Sequence, residues 1–344
     1  MERREKMKAA VFHKKHEISV EEIPAKAPGP TDVLIQVAYC GVCGTDLHIF
    51  HGDKGAAEVT PPVILGHEFS GVVAEVGSRV SSLKVGDRVC VDPNNTCGKC
   101  YACQNGIAHF CSNMIGYGTT TDGGFAEKTV VAEKQVYKIP DRLSLQEAAM
   151  AEPVSCCIHG IDLCHIRPGN TVLVIGGGPI GQMMVQLAKF SGAAKVILSE
   201  PVKEKREQAQ KLGADLAVNP LEKDLAEELA GRGIIADVVI ECVGNTKTIE
   251  QGIRCAGNGA TVLMFGLTAP DAKIELRPFE VFQKELHITA SYINPYTFPR
   301  ALRCLASGRL DFQSIVTDIV DLDHITEVFY NDEYRKHGKI LIKI

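Results

Sequence analysis

The spacing of apolar residues divides the chain into two kinds of segment. From Lys8 to about Pro140, short β-branched runs alternate with Gly, Pro, Asn and Asp, which is typical of strands joined by turns. The clearest runs are 33–37, 71–76 and 88–91. This part of the chain is therefore predicted to form a partly closed β-barrel with long inserted loops.

The period of the pattern changes after about Ser144. A helix is predicted from Gln146 to Cys164. Alternating strands and helices follow it, with strands at 171–175, 195–198, 237–240 and 261–264 and helices at 182–190 and 203–212. Such alternation favours a doubly wound parallel sheet, so the fold class is α/β with two domains.

The last part of the chain is predicted to complete the first domain. It has a helix at 299–307 and a strand at 339–342, and about 50 residues are too few for a separate core. The predicted domains are 1–154, 155–294 and the return segment 295–344.

Composition narrows the class of protein without identifying it. The 344 residues are 45% hydrophobic and 23% charged, which is ordinary for a globular protein, and the net charge of −5 argues against nucleic acid or acidic membranes as partners. The charged opening 1–7 is followed by no apolar segment of the kind found in a signal peptide, and Met7 could serve as an alternative start. No apolar run is long enough to span a membrane. We therefore expect a cytoplasmic protein.

A glycine-rich motif predicts a nucleotide site. Gly176-Gly-Gly-Pro-Ile-Gly181 fits G-x-G-x-x-G, directly after a predicted strand and at the start of a predicted helix. Gly176 allows the tight turn, Gly178 lets a pyrophosphate approach the backbone, and Gly181 lets helix and strand pack closely. Pro179 and Ile180 complete the turn, whose N–H groups face the phosphates.

An acidic residue after the next strand favours NAD over NADP. Glu200 lies 19 residues beyond Gly181, where a carboxylate accepts hydrogen bonds from the ribose hydroxyls and repels a 2′-phosphate. Lys203, Lys205 and Arg206 keep NADP open as an alternative, because basic residues can hold that phosphate, although Lys203 and Arg206 also fit a solvated helix face.

Four of the thirteen cysteines lie within fifteen residues. Cys97, Cys100, Cys103 and Cys111, in the lobe 94–113, offer four thiolates for one tetrahedral, closed structural zinc site. An iron–sulfur cluster also fits the spacing, but it would have no evident role beside a nicotinamide.

A second candidate metal site is centred on Gly66-His67-Glu68. With Cys43 upstream and Glu152 downstream, this stretch offers a thiolate, an imidazole and one or two carboxylates. Such a donor set can bind zinc and leave a coordination position open, which characterises catalytic rather than structural zinc.

Taken in order, these features resemble the zinc-dependent medium-chain alcohol dehydrogenases, and the similarity runs from Lys8 to Ile344. It rests on 43–48 (Cys-Gly-Thr-Asp-Leu-His), 66–68, the four cysteines, Glu152-Pro153 and 176–181. The resemblance implies a GroES-like catalytic domain and a Rossmann coenzyme domain. Glu152 points to the polyol branch, with sorbitol and butanediol dehydrogenases, because the ethanol-type enzymes have a cysteine ligand there.

The resemblance also implies roles for individual residues. Cys43 and His67 would bind zinc directly, Glu152 directly or through a water, and Glu68 in some states only. Asp46 would hold the far nitrogen of His67.

The implied reaction moves a proton and a hydride separately. Zinc lowers the pKa of the alcohol, Thr45 accepts the proton and passes it by way of the ribose to His48, and the hydride goes to NAD. Further cofactor contacts are expected from Phe265, Gly266, Leu267, Ser291 and Tyr292, beside Lys205 and the glycine motif.

The expected substrate is a secondary alcohol such as a polyol, sugar alcohol or diol. Amino alcohols, as in threonine dehydrogenase, and sugar-alcohol phosphates are alternatives. Sorbitol itself is disfavoured, because Ile293-Asn294 stands where many sorbitol enzymes have an Arg-Tyr pair. Phe50 and Phe298 fit either the substrate pocket or the core.

A zinc-free quinone reductase or a non-catalytic relative is disfavoured, since no expected zinc ligand is missing. A homotetramer, or else a homodimer, is expected by resemblance.

Overall fold

The structure is a computed structural model that describes residues 5–53, 58–336 and 338–344. The first four residues of the charged opening segment lie outside the described residues. The chain divides into two compact units, one comprising Met1–Pro153 and Phe298–Ile344 and the other Val154–Thr297. The boundaries predicted from sequence fall at 154/155 and 294/295.

The strands of the described chain are β1 (Lys6–Lys14), β2 (Glu17–Pro24), β3 (Asp32–Gly41), β4 (Val63–Ile64), β5 (Glu68–Val76), β6 (Arg88–Val91), β7 (Asn94–Asn95), β8 (Ile115–Gly116), β9 (Lys128–Ala132), β10 (Val136–Lys138), β11 (Thr171–Ile175), β12 (Lys195–Ser199), β13 (Leu216–Val218), β14 (Ala236–Glu241), β15 (Ala256–Met264), β16 (His287–Ala290), β17 (Val316–Asp321) and β18 (Lys339–Lys343). The α-helices are α1 (Gly44–Phe50), α2 (Tyr101–Gln104), α3 (Leu145–Ala148), α4 (Ala151–Cys164), α5 (Pro179–Phe190), α6 (Lys203–Lys211), α7 (Leu225–Gly231), α8 (Thr246–Cys255), α9 (Pro278–Lys284), α10 (Phe298–Leu305) and α11 (Ile325–Tyr330). None of the described helices is long and apolar enough to cross a membrane.

The first unit is built around β3. A seven-stranded sheet has the order β10-β6-β5-β3-β18-β17, with β9 also paired to β3, and a smaller sheet has the order β2-β1-β4. Val33, Ile35 and Val37 alternate along β3 and are buried with Phe69 and Val131 of its neighbours. The period-two pattern read from the sequence is the cause, because it places these side chains on one face.

The C-terminal segment completes this unit through its last strand. β18 lies antiparallel beside β3 and parallel beside β17. In register, Leu341 faces Gly41, and Gly41 faces Glu68 of β5 on its other side. The last strand is thereby placed next to the candidate metal ligands.

The second unit is a six-stranded parallel sheet in the order β13-β12-β11-β14-β15-β16. Residues 172–174 of β11 are completely buried, as expected for a strand covered on both faces. The strand order changes direction at β11, and ligands of such sheets bind beyond the carboxyl ends of the strands at that point. The α/β prediction, with a parallel doubly wound sheet, is confirmed.

The predicted helix from Gln146 to Cys164 was wrong as one element. The structure has two helices, α3 and α4, with Ala149 and Met150 between them. Pro153 explains the break, since its ring excludes a hydrogen-bonded turn before it but is tolerated in the first turn of a new helix.

Candidate functional site

The first candidate ligand, Cys43, is positioned by the start of α1. It is the N-cap residue, with extended backbone, and its Sγ accepts a hydrogen bond from the Thr45 N–H at 3.5 Å. The Asp46 carboxylate reaches back and accepts from the Cys43 N–H at 2.8 Å. The Cys43 side chain thereby lies at the N-terminal end of α1, beside the first N–H groups of the helix.

Asp46 also ties this loop to the start of β5. It is fully buried, its Oδ1 accepts from the Gly66 N–H at 3.3 Å, and the same oxygen lies 3.4 Å from His67 Nδ1. Gly66 has φ +88°, and a Cβ there would lie 2.7 Å from both Cys40 Sγ and Phe125. Only glycine fits this turn, so the glycine of Gly-His-Glu has a structural reason.

The structure brings three of the predicted ligands together. Donor atoms of Cys43, His67 and Glu68 all lie within 4.8 Å of one another. A thiolate, an imidazole and a carboxylate at this separation fit one zinc ion. Burial lowers the pKa of His67, but the nearby Asp46 and Cys43 anions outweigh burial and raise it well above its usual value.

Glu152 is not part of this three-residue group. It lies buried in the first turn of α4, at 7% exposure. Its charge nevertheless acts on Lys339, as do those of Glu68 and Cys43, so it belongs to the same electrostatic environment.

Lys339 is a member of this environment that sequence reasoning missed. It is 5% exposed, its Nζ forms an ion pair with Glu68 Oε2, and it donates to the Val42 carbonyl at 2.9 Å. Burial lowers the pKa of Lys339, but Glu68, Cys43 and Glu152 together raise it above its usual value. The signal in the sequence is a lysine placed directly before the apolar run Ile340-Leu341-Ile342 of the terminal strand.

The four predicted lobe cysteines form a second group. Donor atoms of Cys97, Cys100, Cys103 and Cys111 also lie within 4.8 Å of one another, with Cys100 and Cys103 Sγ 3.5 Å apart. The N–H groups of Cys103 and Ser112 lower the pKa of Cys100 to about 6, whereas burial raises that of Cys103 to about 11. Four thiols in this arrangement fit a closed tetrahedral zinc site.

The proposed proton acceptors Thr45 and His48 lie on α1, three residues apart and therefore on one face of the helix. His48 Nδ1 contacts Asp53 Oδ2 at 3.1 Å, and the histidine side chain is 44% exposed. Phe50 and Phe298, which fitted either pocket or core, are both buried, at 2% and 1% exposure.

The glycine motif forms the turn between β11 and α5. Gly176 has φ +99°, and a Cβ on Gly181 would overlap the Gly176 carbonyl, so helix and strand pack as closely as predicted. Gly178 is the N-cap of α5 without a side-chain cap, and Pro179 and Ile180 are the first helical residues. Apart from its chain neighbours, no atom of the described residues lies within 4 Å of a Cβ built on Gly178. The free N–H groups of this helix end are suited to bind a pyrophosphate.

Glu200 is bound to this turn. Its Oε2 accepts from the Gly177 N–H at 2.6 Å and its Oε1 from the Val202 N–H at 2.8 Å. Arg206 Nη1 donates to the Glu200 and Pro201 carbonyls at 2.8 and 2.6 Å, which draws the guanidinium against the loop. The Lys205 carbonyl accepts from Gln182 Nε2 at 2.8 Å, and Lys203 is exposed.

The other predicted cofactor residues lie at the carboxyl ends of neighbouring strands. These residues are Phe265, Gly266 and Leu267 after β15, and Ser291 and Tyr292 after β16. The Phe265 and Gly266 N–H groups donate to the Glu241 carbonyl at 2.9 and 3.0 Å. Asn294 is buried and donates to Ser155 Oγ at 2.8 Å.

Glu241 was also missed by the sequence reasoning. It is completely buried at the end of β14, where its side chain accepts from the Val243 and Gly244 N–H groups and from the Thr248 hydroxyl, at 2.8 to 3.2 Å. An acidic residue closing an apolar parallel strand was the available signal. Glu241 thereby fixes the loop that follows the carboxyl end of β14.

Comparison with known proteins agrees with this geometry. Residues 29–141 match the family model of the alcohol dehydrogenase GroES-like domain, and residues 179–307 match that of the zinc-binding dehydrogenase domain. The chain is 34% identical to D-arabinitol dehydrogenase 1 of Uromyces fabae, covering 98% of this chain and 97% of that one. It is 36% identical to sorbitol dehydrogenase of Bacillus subtilis strain 168, over 92% and 91%, and 36% identical to L-threonine 3-dehydrogenase of Pyrococcus furiosus, over 99% of each.

Solved structures of dehydrogenases are also similar to this chain. A zinc-binding dehydrogenase of Sinorhizobium meliloti 1021, bound to NADP, is 39% identical with a TM-score of 0.95, covering 99% of this chain and 100% of that one. The alcohol dehydrogenase rspB of E. coli CFT073, complexed with NADH, is 31% identical with a TM-score of 0.92, over 98% and 99%. The fold of this chain therefore occurs in two solved structures that hold a nicotinamide coenzyme.

Proposed function

Because the chain belongs to the zinc-dependent medium-chain alcohol dehydrogenase family, we propose that it oxidises a secondary alcohol to a ketone with NAD as hydride acceptor. The observation that carries this proposal is the convergence of Cys43, His67 and Glu68 on one point. Their thiolate, imidazole and carboxylate are the donor types of a catalytic rather than a closed zinc site.

The residues of the first unit would hold the metal and handle the proton. Bound there, zinc would supply Lewis-acid polarisation of the substrate hydroxyl, while NAD supplies the hydride acceptor. Asp46 keeps Cys43 and His67 in place through its contacts with both loops. Thr45 accepts the hydroxyl proton, and His48, oriented by Asp53, releases it to solvent.

The residues of the second unit support NAD as the preferred coenzyme. The phosphates would bind the uncapped N-terminus of α5. Glu200 is held by the Gly177 and Val202 N–H groups, and it presents a fixed negative charge where a 2′-phosphate would lie. One structural neighbour holds NADP, so the preference is tested by comparing the two coenzymes directly.

A polyol, sugar alcohol or diol is the proposed substrate class. The similarity to sorbitol and arabinitol dehydrogenases supports it, as does the carboxylate of Glu152 beside the metal centre. A second candidate, oxidation of an amino alcohol, is favoured by the equal identity to L-threonine 3-dehydrogenase.

Self-association is the proposed quaternary state, with a tetramer preferred over a dimer. β16 is the edge strand of the parallel sheet and is only partly buried. The adjacent α9 has no buried residue, and its Phe279 and Phe282 are 70% and 80% exposed. Exposed edges and apolar side chains of this kind are ordinarily covered by a partner. All thirteen cysteines lie among the described residues and none is in a disulfide bond there, which supports a reducing, cytoplasmic location.

The test is an assay in which the reduction of NAD is monitored by absorbance. The substrates are sorbitol, arabinitol, butanediol, threonine and sugar-alcohol phosphates, and the assay is repeated with NADP. Turnover of a polyol with NAD, lost on treatment with a zinc chelator and restored by zinc, is the expected result. Turnover of threonine alone would replace the polyol with the amino alcohol. Turnover that survives complete removal of zinc would refute the proposed mechanism.

A further inference from the structure

We infer that Lys339 is a positioning residue of the catalytic metal centre, which holds Glu68 by one oxygen and thereby restricts its access to the metal. The inference rests on the proposed function, since it takes the group of Cys43, His67 and Glu68 to bind zinc. Lys339 itself cannot be a ligand, because an ammonium group has no lone pair to offer.

The contacts of Lys339 join the two sides of the site. Its Nζ pairs with Glu68 Oε2 and donates to the Val42 carbonyl at 2.9 Å, and Val42 directly precedes Cys43. The next residue of the same strand, Ile340, accepts the Val42 N–H at 3.0 Å. Both main-chain groups of Val42 are thus held by β18, and one ammonium group lies between the loop of the thiolate and the carboxylate.

The space around this ion pair depends on a glycine. Gly41 faces Glu68 across β3 and β5, and it faces Leu341 across β3 and β18. A Cβ on Gly41 would overlap Glu68 Oε2 and lie 3.0 Å from Lys339 Cε. Any other residue at this position would displace the pair, so the strand register leaves a compartment for it.

Burial makes the Lys339–Glu68 ion pair necessary for both charges. The side chains of Lys339 and Glu68 are 6% and 1% exposed. Neither charge can turn to water, so each depends on the other or on another ion of opposite sign. Zinc is the alternative partner for Glu68, whose donor atom lies within 4.8 Å of those of Cys43 and His67.

Two consequences follow for the metal. An oxygen held by Lys339 is withdrawn from coordination, so Glu68 can offer at most its other oxygen, and a coordination position stays available to substrate. The ammonium also offsets one of the negative charges of Cys43, Glu68 and Glu152, which weakens zinc binding relative to a site without it. Lys339 therefore lowers the affinity of the site for zinc and keeps one coordination position available to substrate.

The decisive variant is Lys339→Met, which keeps an unbranched side chain, one atom shorter, and removes the charge. Zinc affinity at this site, measured by competition with a chromophoric chelator, should rise by about tenfold or more because Glu68 becomes free to bind the metal and a nearby positive charge is lost. Turnover should fall by about tenfold, because Glu68 would then occupy the coordination position that the substrate needs. Cobalt substitution should show altered ligand-field bands, which report the coordination directly.

Matched variants separate this role from simple packing. Lys339→Arg, which keeps charge and donors, should restore wild-type zinc affinity and most of the turnover. Lys343→Met changes an exposed lysine on the same strand and should change neither quantity. In a Glu68→Gln background, Lys339→Met should no longer tighten zinc, because the coupling between two such residues appears only when both are present. Lys339→Gln replaces Lys339→Met if the latter does not fold.

The outcomes distinguish this inference from the proposed function. A wild-type enzyme without zinc bound by Cys43, as judged against Cys43→Ser, would overturn the proposed function itself. A wild-type enzyme that binds zinc and turns over, with a Lys339→Met variant of unchanged or weaker zinc affinity, would overturn only the role of Lys339. Equal losses in Lys339→Met and Lys339→Arg would show a packing role and would likewise overturn it.

Discussion

Replacing Glu200 with glutamine should change the coenzyme preference of the enzyme. A carboxylate and a phosphate dianion about 5 Å apart repel by about 7 kcal/mol at an effective dielectric constant of about 20, and by about 2 kcal/mol in bulk water. The site lies between these limits, and about 3 kcal/mol corresponds to a factor of about 100 in kcat/KM. Glutamine removes this repulsion without changing the size of the side chain.

The same substitution weakens NAD binding and the turn itself. A neutral amide oxygen accepts ribose hydroxyls less strongly than a carboxylate does. Only one of the Gly177 and Val202 N–H groups can keep its acceptor, and an unsatisfied buried N–H costs about 1–3 kcal/mol of stability. We therefore expect kcat/KM for NAD to fall, and the midpoint of thermal unfolding to drop by several degrees.

The variant should lose discrimination without becoming specific for NADP. Arg206 Nη1 stays bound to the main-chain carbonyls of residues 200 and 201, which the substitution does not alter. The ratio of kcat/KM for NAD to that for NADP should thus fall by about 100-fold, toward unity, without reversing.

Initial rates with both coenzymes at saturating alcohol give this ratio. Glu204→Gln is the control, because Glu204 carries the same charge in the first turn of α6 but is exposed. An unchanged ratio in Glu200→Gln, or an equal fall in Glu204→Gln, would refute the reasoning. So would a wild-type enzyme that prefers NADP.

Three further variants test the metal and nucleotide sites. Cys43→Ser should lose one of two zinc ions per chain and all turnover, while its circular dichroism spectrum stays unchanged. If elemental analysis still finds two zinc ions per chain, the assignment of Cys43 as a zinc ligand is contradicted. Cys100→Ser should also lose one zinc ion, and its unfolding temperature should fall, because a structural zinc site contributes directly to folding. An unchanged unfolding temperature would contradict that role. Gly181→Ala places a Cβ against the Gly176 carbonyl, so the overlap should cost about 1–3 kcal/mol and weaken NAD binding in a fluorescence titration. Wild-type affinity for NAD in Gly181→Ala would show that the close approach of α5 is not needed.

The sequence predicted those parts of the fold that depend on local pattern. β6 and β11 were located correctly to the residue, because β-branched runs bounded by turn residues leave little choice of structure. The predicted helix across Gln146 to Cys164 was wrong because apolar spacing continues across Pro153, which lies in the first turn of α4 and prevents the turns before it from joining that helix. In that case local backbone chemistry overrode periodicity.

The candidate site was predictable where residue type and spacing carry the chemistry. The cysteine lobe and the glycine turn lie in continuous stretches of sequence. Lys339 and Glu241 could not be identified in this way, because their roles depend on which strands and loops lie beside them. Lys339 meets Glu68 only through the insertion of β18 beside β3, a pairing across about 300 residues that no local pattern specifies.

That long-range pairing has a consequence for the order in which the protein is made. During synthesis the cysteine lobe and the whole of the second unit leave the ribosome before β18 does. Domains generally fold as units as the chain emerges, so a nucleotide-binding unit and a loaded structural zinc lobe can precede the catalytic centre. The strand between β3 and β17, and with it the counter-charge of Glu68, arrives last. A nascent chain stalled just before residue 339 should therefore be able to bind coenzyme and still lack a finished catalytic metal site.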